Sequence, residues 1–165
     1  MIANCHLGIV CHDLDKCLPF YRDILGLKEK FCLTYEDFAV QTERKTGVTE
    51  RTKYLRSLGD RVWIRYMEYP DAPGYFIELF DRAGEDIVRP AGHDYTGVTH
   101  YAVIVDDLQA FKADVIARGG EEYIDGDIAF GCDNTYQLWL HDPEGNMMEY
   151  MQYTDKSFQV VGREE

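Results

Sequence analysis

Four side chains able to bind a metal or move a proton stand at matching places in this sequence. His6 and His100 each open an apolar strand, and Glu78 ("YFIELFD") and Glu149 ("NMMEYMQY") each interrupt one. A bare carboxylate inside such a strand costs roughly several kcal/mol if it stays charged in a dry interior. A cation, an arginine, water in a cavity or protonation must therefore compensate each one. Two imidazoles and two carboxylates converging on one point suit a divalent metal, since both are natural ligands of zinc, nickel, cobalt or iron.

The elements that position them form a repeat. Displacing the chain by 94 residues (100 − 6) lays "HLGIVCHDL" on "HYAVIVDDL" without a gap: His6 meets His100, Asp13 meets Asp107, Leu14 meets Leu108 and Gly26 meets Gly120. Residues 5–11 and 99–105 are rich in apolar and β-branched types and predict strands. Asp13 and Asp107 are N-cap candidates for helices over about 14–25 and 107–118, with Gly26 and Gly120 as left-handed terminators. Pro19 falls in the tolerant opening turns of the first helix. Three strands then follow in each unit: "KEKFCLTYED", "RVWIRYMEY" and "YFIELFD", then "EEYIDGDIAF", "TYQLWLHD" and "NMMEYMQY". Turns at Pro70–Gly74 and Asp142–Gly145 join the last two of each set.

The pattern is β-α-β-β-β, twice, within one α+β domain over 1–155. Module 1 covers 1–90 and module 2 covers 96–155, followed by a tail over 156–165. Glu78 and Glu149 are 71 residues apart (149 − 78), and the 23-residue shortfall from 94 matches a polar excursion at 38–58 that module 2 lacks. It reads as a flap, a short helix, or both. His12, His93 and His141 fall in turns or loops and read as surface residues.

Composition bounds the rest. The 165 residues carry a formal charge of −13 with 45% hydrophobic content, a globular chain whose surface repels phosphate backbones and anionic lipids. Nucleic-acid and membrane partners are therefore not expected. Cys5, Cys11, Cys17, Cys32 and Cys132 are odd in number and include no C-x-x-C pair, which fits a reduced interior. With no signal-peptide pattern and only strand-sized apolar runs, the expected location is cytoplasmic.

"HLGIVCHDLDKCLPFYRDILGLK", "FIELFD", "THYAVIVDDL" and "HDPEGNMMEYMQ" resemble the signature segments of the vicinal-oxygen-chelate superfamily, the glyoxalase/bleomycin-resistance/extradiol-dioxygenase group. The resemblance covers nearly the whole chain apart from 38–58 and the tail. It implies paired βαβββ modules whose curved sheets form a metal-holding cleft. It also implies His6, Glu78, His100 and Glu149 as the metal ligands, the His-Glu-His-Glu order of bacterial glyoxalase I (lactoylglutathione lyase). The implied cofactor is one Ni²⁺, Co²⁺ or Zn²⁺ per site, ahead of Fe²⁺ or Mn²⁺.

By the same resemblance the activity is that of a lyase or isomerase. Glu149 removes a proton next to a carbonyl, the enediolate is stabilised by the chelating cation, and Glu78 returns the proton on the other face. The implied substrate is a small carbonyl compound or thioester. Val10 stands where glutathione-dependent members commonly carry an arginine; Arg51, Arg61 and Arg65 are other sources of positive charge in module 1. The alternatives within the group are a methylmalonyl-CoA epimerase-like enzyme, an iron-dependent ring-cleaving dioxygenase and a metal-free drug-binding protein of the bleomycin-resistance kind. Fold analogy implies a homodimer, with ligands drawn from one chain or from two.

Overall fold

The computed structural model describes residues 5–82 and 97–162. His93, the 83–96 junction and residues 163–165 lie outside them. The chain divides into two compact units, Met1–Val88 and Arg89–Glu165.

The first unit runs β1 (His6–Cys11), α1 (Leu14–Pro19), β2 (Lys28–Thr34), α2 (Tyr35–Thr46), α3 (Glu50–Ser57), β3 (Val62–Glu68) and β4 (Phe76–Asp81). The second runs β5 (His100–Ile104), α4 (Leu108–Ala117), β6 (Ile124–Phe130), β7 (Tyr136–His141), β8 (Met147–Gln152) and a short α5 (Phe158–Val161). Their sheets have one topology, β1-β4-β3-β2 and β5-β8-β7-β6. In each, the first strand lies parallel to the last and the other pairings are antiparallel. The fold is α+β, built from two βαβββ modules.

Both helix starts are capped as the sequence predicts. The Asp13 carboxylate accepts from the Asp15 and Lys16 amides at 3.1 and 3.2 Å, and Asp107 accepts from Ala110 at 2.9 Å. Gly26 ends the first helix in the left-handed conformation, φ +76°, as the sequence predicts, but the helix changes form before it and the second helix ends differently. Pro19 has no N–H to continue the ladder, and the chain goes on as a wider π turn over Phe20–Ile24, closed by Leu25 N–H donating to Phe20 O at 3.0 Å. In the second unit Gly119, not Gly120, takes the left-handed place, with φ +83°. The Gly120 and Gly119 amides then reach back to Val115 and Ile116, closing the helix one residue earlier than the sequence repeat suggests.

In each module the helix-covered side of the sheet is the core. Ile9, Cys11, Met67, Ile77 and Leu79 bury there in module 1, and Leu138, Leu140, Met148 and Tyr150 in module 2. Phe111 of α4 stacks on Tyr150 with centroids 4.1 Å apart. Strand alternation then assigns His6, Glu78, His100 and Glu149 to the opposite faces.

The 38–58 excursion is neither a flap nor a single helix. β2 ends at Thr34, earlier than expected, because Thr34 and Asp37 form a capping box that starts α2; a second box, Thr49 with Thr52, starts α3. Tyr35, Ala39 and Leu55 bury together against Phe38, Leu58 and Trp63. Arg56 of α3 pairs with Glu43, at 2.6 Å, and with Glu36 of α2. The Tyr35 hydroxyl donates to the buried Asp81 carboxylate at 3.0 Å, and Arg61 grips that carboxylate with two bonds of 2.7 and 2.8 Å. By alternation Asp81 faces away from Glu78. Phe38, however, stacks on Trp63 at the bulge of β3, and Trp63 meets Phe80 edge-on at 6.1 Å. Phe80 shares Glu78's face, so these helices reach that face at its Phe80 end.

The expected tail is also structured in part. Phe158 N–H donates to Asp133 O at 2.9 Å, and Asn134 Nδ2 donates to Lys156 O at 3.0 Å. All five cysteines are free thiols, Cys11 and Cys17 buried. Among the described residues no helix is long and apolar enough to cross a membrane.

Candidate functional site: two matching histidine–glutamate pairs

Glu78 sits at the centre of β4, opposite Gly8 of β1 on one side and Tyr66 of β3 on the other. Glu149 sits at the centre of β8, opposite Ala102 of β5 and Trp139 of β7. The surroundings are duplicated along with the carboxylates: a small residue on the parallel side and a large aromatic one on the antiparallel side. A Cβ at Gly8 would stand 3.1 Å from the Phe80 ring and 3.7 Å from Glu78 Oε2, so the missing side chain leaves room for both.

Each histidine faces the glutamate of its own module. His6 Nε2 is 3.3 Å from Glu78 Oε2, and His100 Nε2 is 3.4 Å from Glu149 Oε2. Thr99 Oγ1 lies 2.9 Å from His100 Nδ1, which leaves Nε2 as the nitrogen turned toward Glu149. Aromatic edges fix both rings: Tyr66 against His6 at 6.1 Å and Trp139 against His100 at 4.8 Å. These supports were not read from the sequence. Their signal was the parity shared by Tyr66 with Glu78 across one hairpin and by Trp139 with Glu149 across the other.

The glutamates are only 5% and 7% exposed, and among the described residues neither pairs with Lys or Arg. Burial pushes both carboxyls above their ordinary range, and the facing imidazole opposes that shift without cancelling it. Among the described residues, then, no arginine compensates them. Arg61 is bound to Asp81, Arg65 to Glu29, and Arg51 lies 5.9 Å from the Phe38 ring centre.

The donor set fits a divalent metal. Ligand bonds of about 2.0–2.2 Å place neighbouring donors on one ion about 3.0–3.5 Å apart, the spacing both pairs already have. Each pair alone supplies two donors, and among the described residues no group of three or more His, Cys, Asp or Glu side chains is placed to hold a metal. His12 is exposed, as expected. His141 is not a loop residue. It ends β7, and its ring is hydrogen-bonded to Asp125.

A model of the Glyoxalase/Bleomycin resistance protein/Dioxygenase superfamily matches residues 5–150. The chain belongs to this superfamily. The uncharacterised protein YwbC of Bacillus subtilis (strain 168) is 24% identical over 149 residues, spanning 89% of this chain and 94% of that protein. A glyoxalase/dioxygenase from Nostoc punctiforme has the same fold with a TM-score of 0.59 and 22% identity, covering 93% of this chain and 92% of that one. Lactoylglutathione lyase from Agrobacterium tumefaciens superposes with a TM-score of 0.53 and 17% identity, over 91% and 92% of the two chains. At these identities the structural likeness speaks for the superfamily fold.

Proposed function

We propose that this superfamily member is a metal-dependent lyase or isomerase of the glyoxalase I kind, acting by proton transfer at a carbon next to a carbonyl. The observation that carries the reading is the twin His–Glu pair, with donor atoms 3.3 and 3.4 Å apart, one pair in each module on the sheet face opposite Leu79 or Tyr150. His6, Glu78, His100 and Glu149 would hold one divalent cation, Ni²⁺, Co²⁺ or Zn²⁺. When bound, such a cation supplies Lewis acidity toward the substrate's carbonyl oxygen.

The chain's own residues supply the proton chemistry. Glu149 removes the proton from carbon and Glu78 delivers one to the neighbouring carbon. Two carboxylates are needed because the proton leaves one carbon and arrives at another. Their buried setting favours transfer through the two carboxyls, whose own protons exchange with solvent, over direct transfer to bulk water. Tyr66 and Trp139 hold the imidazole edges so that the donors stay aimed.

The test is turnover by the metal-loaded protein with hemithioacetals of methylglyoxal and several thiols, then with α-chiral acyl-CoA thioesters, in deuterated solvent. Turnover with deuterium at carbon is expected, and Glu149→Gln should lower it about 10²- to 10⁴-fold. No turnover and no deuterium incorporation on any of them contradicts the reading. Oxygen uptake on catechols by the Fe²⁺ form would replace it with ring cleavage.

A further inference from the structure

The two modules repeat one another in topology around their glutamates, but the polar residue at one end of the same face differs in kind. In module 2 it is His141, paired in register with Met147, which is paired in turn with His100. In module 1 the matching place beside Phe76 is Glu68. Glu68 is committed to structure: it accepts the Gly74 amide at 2.7 Å and lies 3.5 Å from Lys30. His141 makes instead a bond across the β6–β7 hairpin that leaves one ring nitrogen available.

Its Nδ1 lies 2.9 Å from Asp125 Oδ2 on β6, and Tyr123 meets the ring edge-on at 6.0 Å. With Asp125 ionised the proton of the neutral ring resides on Nδ1, so Nε2 bears the lone pair. Among the described residues nothing hydrogen-bonds Nε2. Alternation places His141 on the face of Trp139, Glu149 and His100. Two strand spacings put it about 10 Å from His100, and a diagonal step puts it about 7–8 Å from Glu149. A small substrate held beside Glu149 would come within reach of the His141 ring, past Met147.

We propose that His141, oriented by Asp125, is a further catalytic residue that carries the oxygen-bound proton of the substrate. This rests on the function proposed above and narrows its substrate to compounds with a hydroxyl on the carbon that is deprotonated. Converting R–CO–CH(OH)–SR′ into R–CH(OH)–CO–SR′ moves two hydrogens. For one, Glu149 takes the proton from the first carbon and protonated Glu78 gives one to its neighbour, after which exchange with solvent returns both carboxyls to their starting forms. The other must leave the hydroxyl oxygen as that carbon becomes the new carbonyl: the O–H bond breaks, its electron pair forms the C=O bond, and Nε2 takes the proton. The same proton then passes from Nε2 to the oxygen of the former ketone, which becomes the product hydroxyl. Atoms and charge balance with no further reactant. Epimerisation next to a thioester moves only a carbon-bound proton and has no use for this group.

The test compares wild type with His141→Ala, His141→Gln and Asp125→Asn, metal-loaded, on the methylglyoxal hemithioacetal that wild type turns over best. Both His141 variants should keep their metal and lose kcat about 10²-fold or more, and added imidazole should restore part of the His141→Ala loss. Exchange of the carbon-bound hydrogen with solvent should persist in them, since Glu149 is intact. Asp125→Asn should lower kcat with little change in KM. Full kcat in a metal-loaded His141→Ala or His141→Gln overturns the inference alone. A metal-loaded wild type that turns over no hemithioacetal overturns both this inference and the function on which it rests.

Discussion

At the scale of single residues, the account turns on two carboxyls held in apolar strands with an imidazole as their close polar neighbour. Their pKa values are raised in the fold, so their sign in the stability balance is fixed. Below the ordinary carboxylate range both folded and unfolded chains are protonated there, and the contribution is full. It is lost as pH rises through the raised folded values. The metal-free protein should therefore lose stability from weakly acid to neutral pH. Glu78→Gln and Glu149→Gln, unable to ionise, should be more stable than wild type at neutral pH by about 1 kcal/mol, a gap that closes in acid. Urea unfolding across that range measures it, and equal stability at neutral pH counts against the burial argument. Gly8 is the second residue on which geometry depends. Gly8→Val puts branches where the Phe80 ring and Glu78 Oε2 already stand within 4 Å of its Cβ. It should weaken metal binding without removing a ligand, whereas Gly8→Ala, which installs the residue type found at Ala102, should be milder.

At the scale of elements, the repeat was legible because both modules begin with a histidine and a capping aspartate in one ungapped register. The strands bearing Glu78 and Glu149 followed from alternation. What stayed hidden depended on contacts distant in sequence or on caps embedded in strand-like text. The start of α2 was masked by "KEKFCLTYED", where the β-prone run continues into the Thr34–Asp37 box. The His141–Asp125 bond joins residues 16 apart across a hairpin with a register shift between Asp125 and Ala129, so alternation from either side could not align them. The helical excursion also makes a prediction of its own. Asp81 anchors α2 through Tyr35 and takes both Arg61 bonds, so Asp81→Ala should cost about 1.5–3 kcal/mol and Tyr35→Phe about 1 kcal/mol. Because Asp81 faces away from Glu78, Tyr35→Phe should leave metal affinity unchanged. Calorimetric titration checks the affinity and urea unfolding the stability.

At the scale of the whole molecule, two modules of one topology each offer one imidazole and one carboxylate at the same bite. Two donors hold a divalent ion weakly, and four hold it well. Under the proposed function, one cation held by both pairs would give the duplicated arrangement a purpose that neither pair has alone. The same reasoning predicts that removing either histidine or either glutamate has a comparable effect. It also leaves the metal stoichiometry independent of whether the four donors come from one chain or from a homodimer, for which light scattering should give twice 19.1 kDa. The most direct measurement is elemental analysis of the Ni²⁺- or Zn²⁺-equilibrated protein beside His6→Ala, Glu78→Gln, His100→Ala and Glu149→Gln. The account predicts one ion per chain in wild type and a large loss of affinity in all four variants. Two independent ions per chain, or retention of metal when one module's pair is disabled, would contradict it.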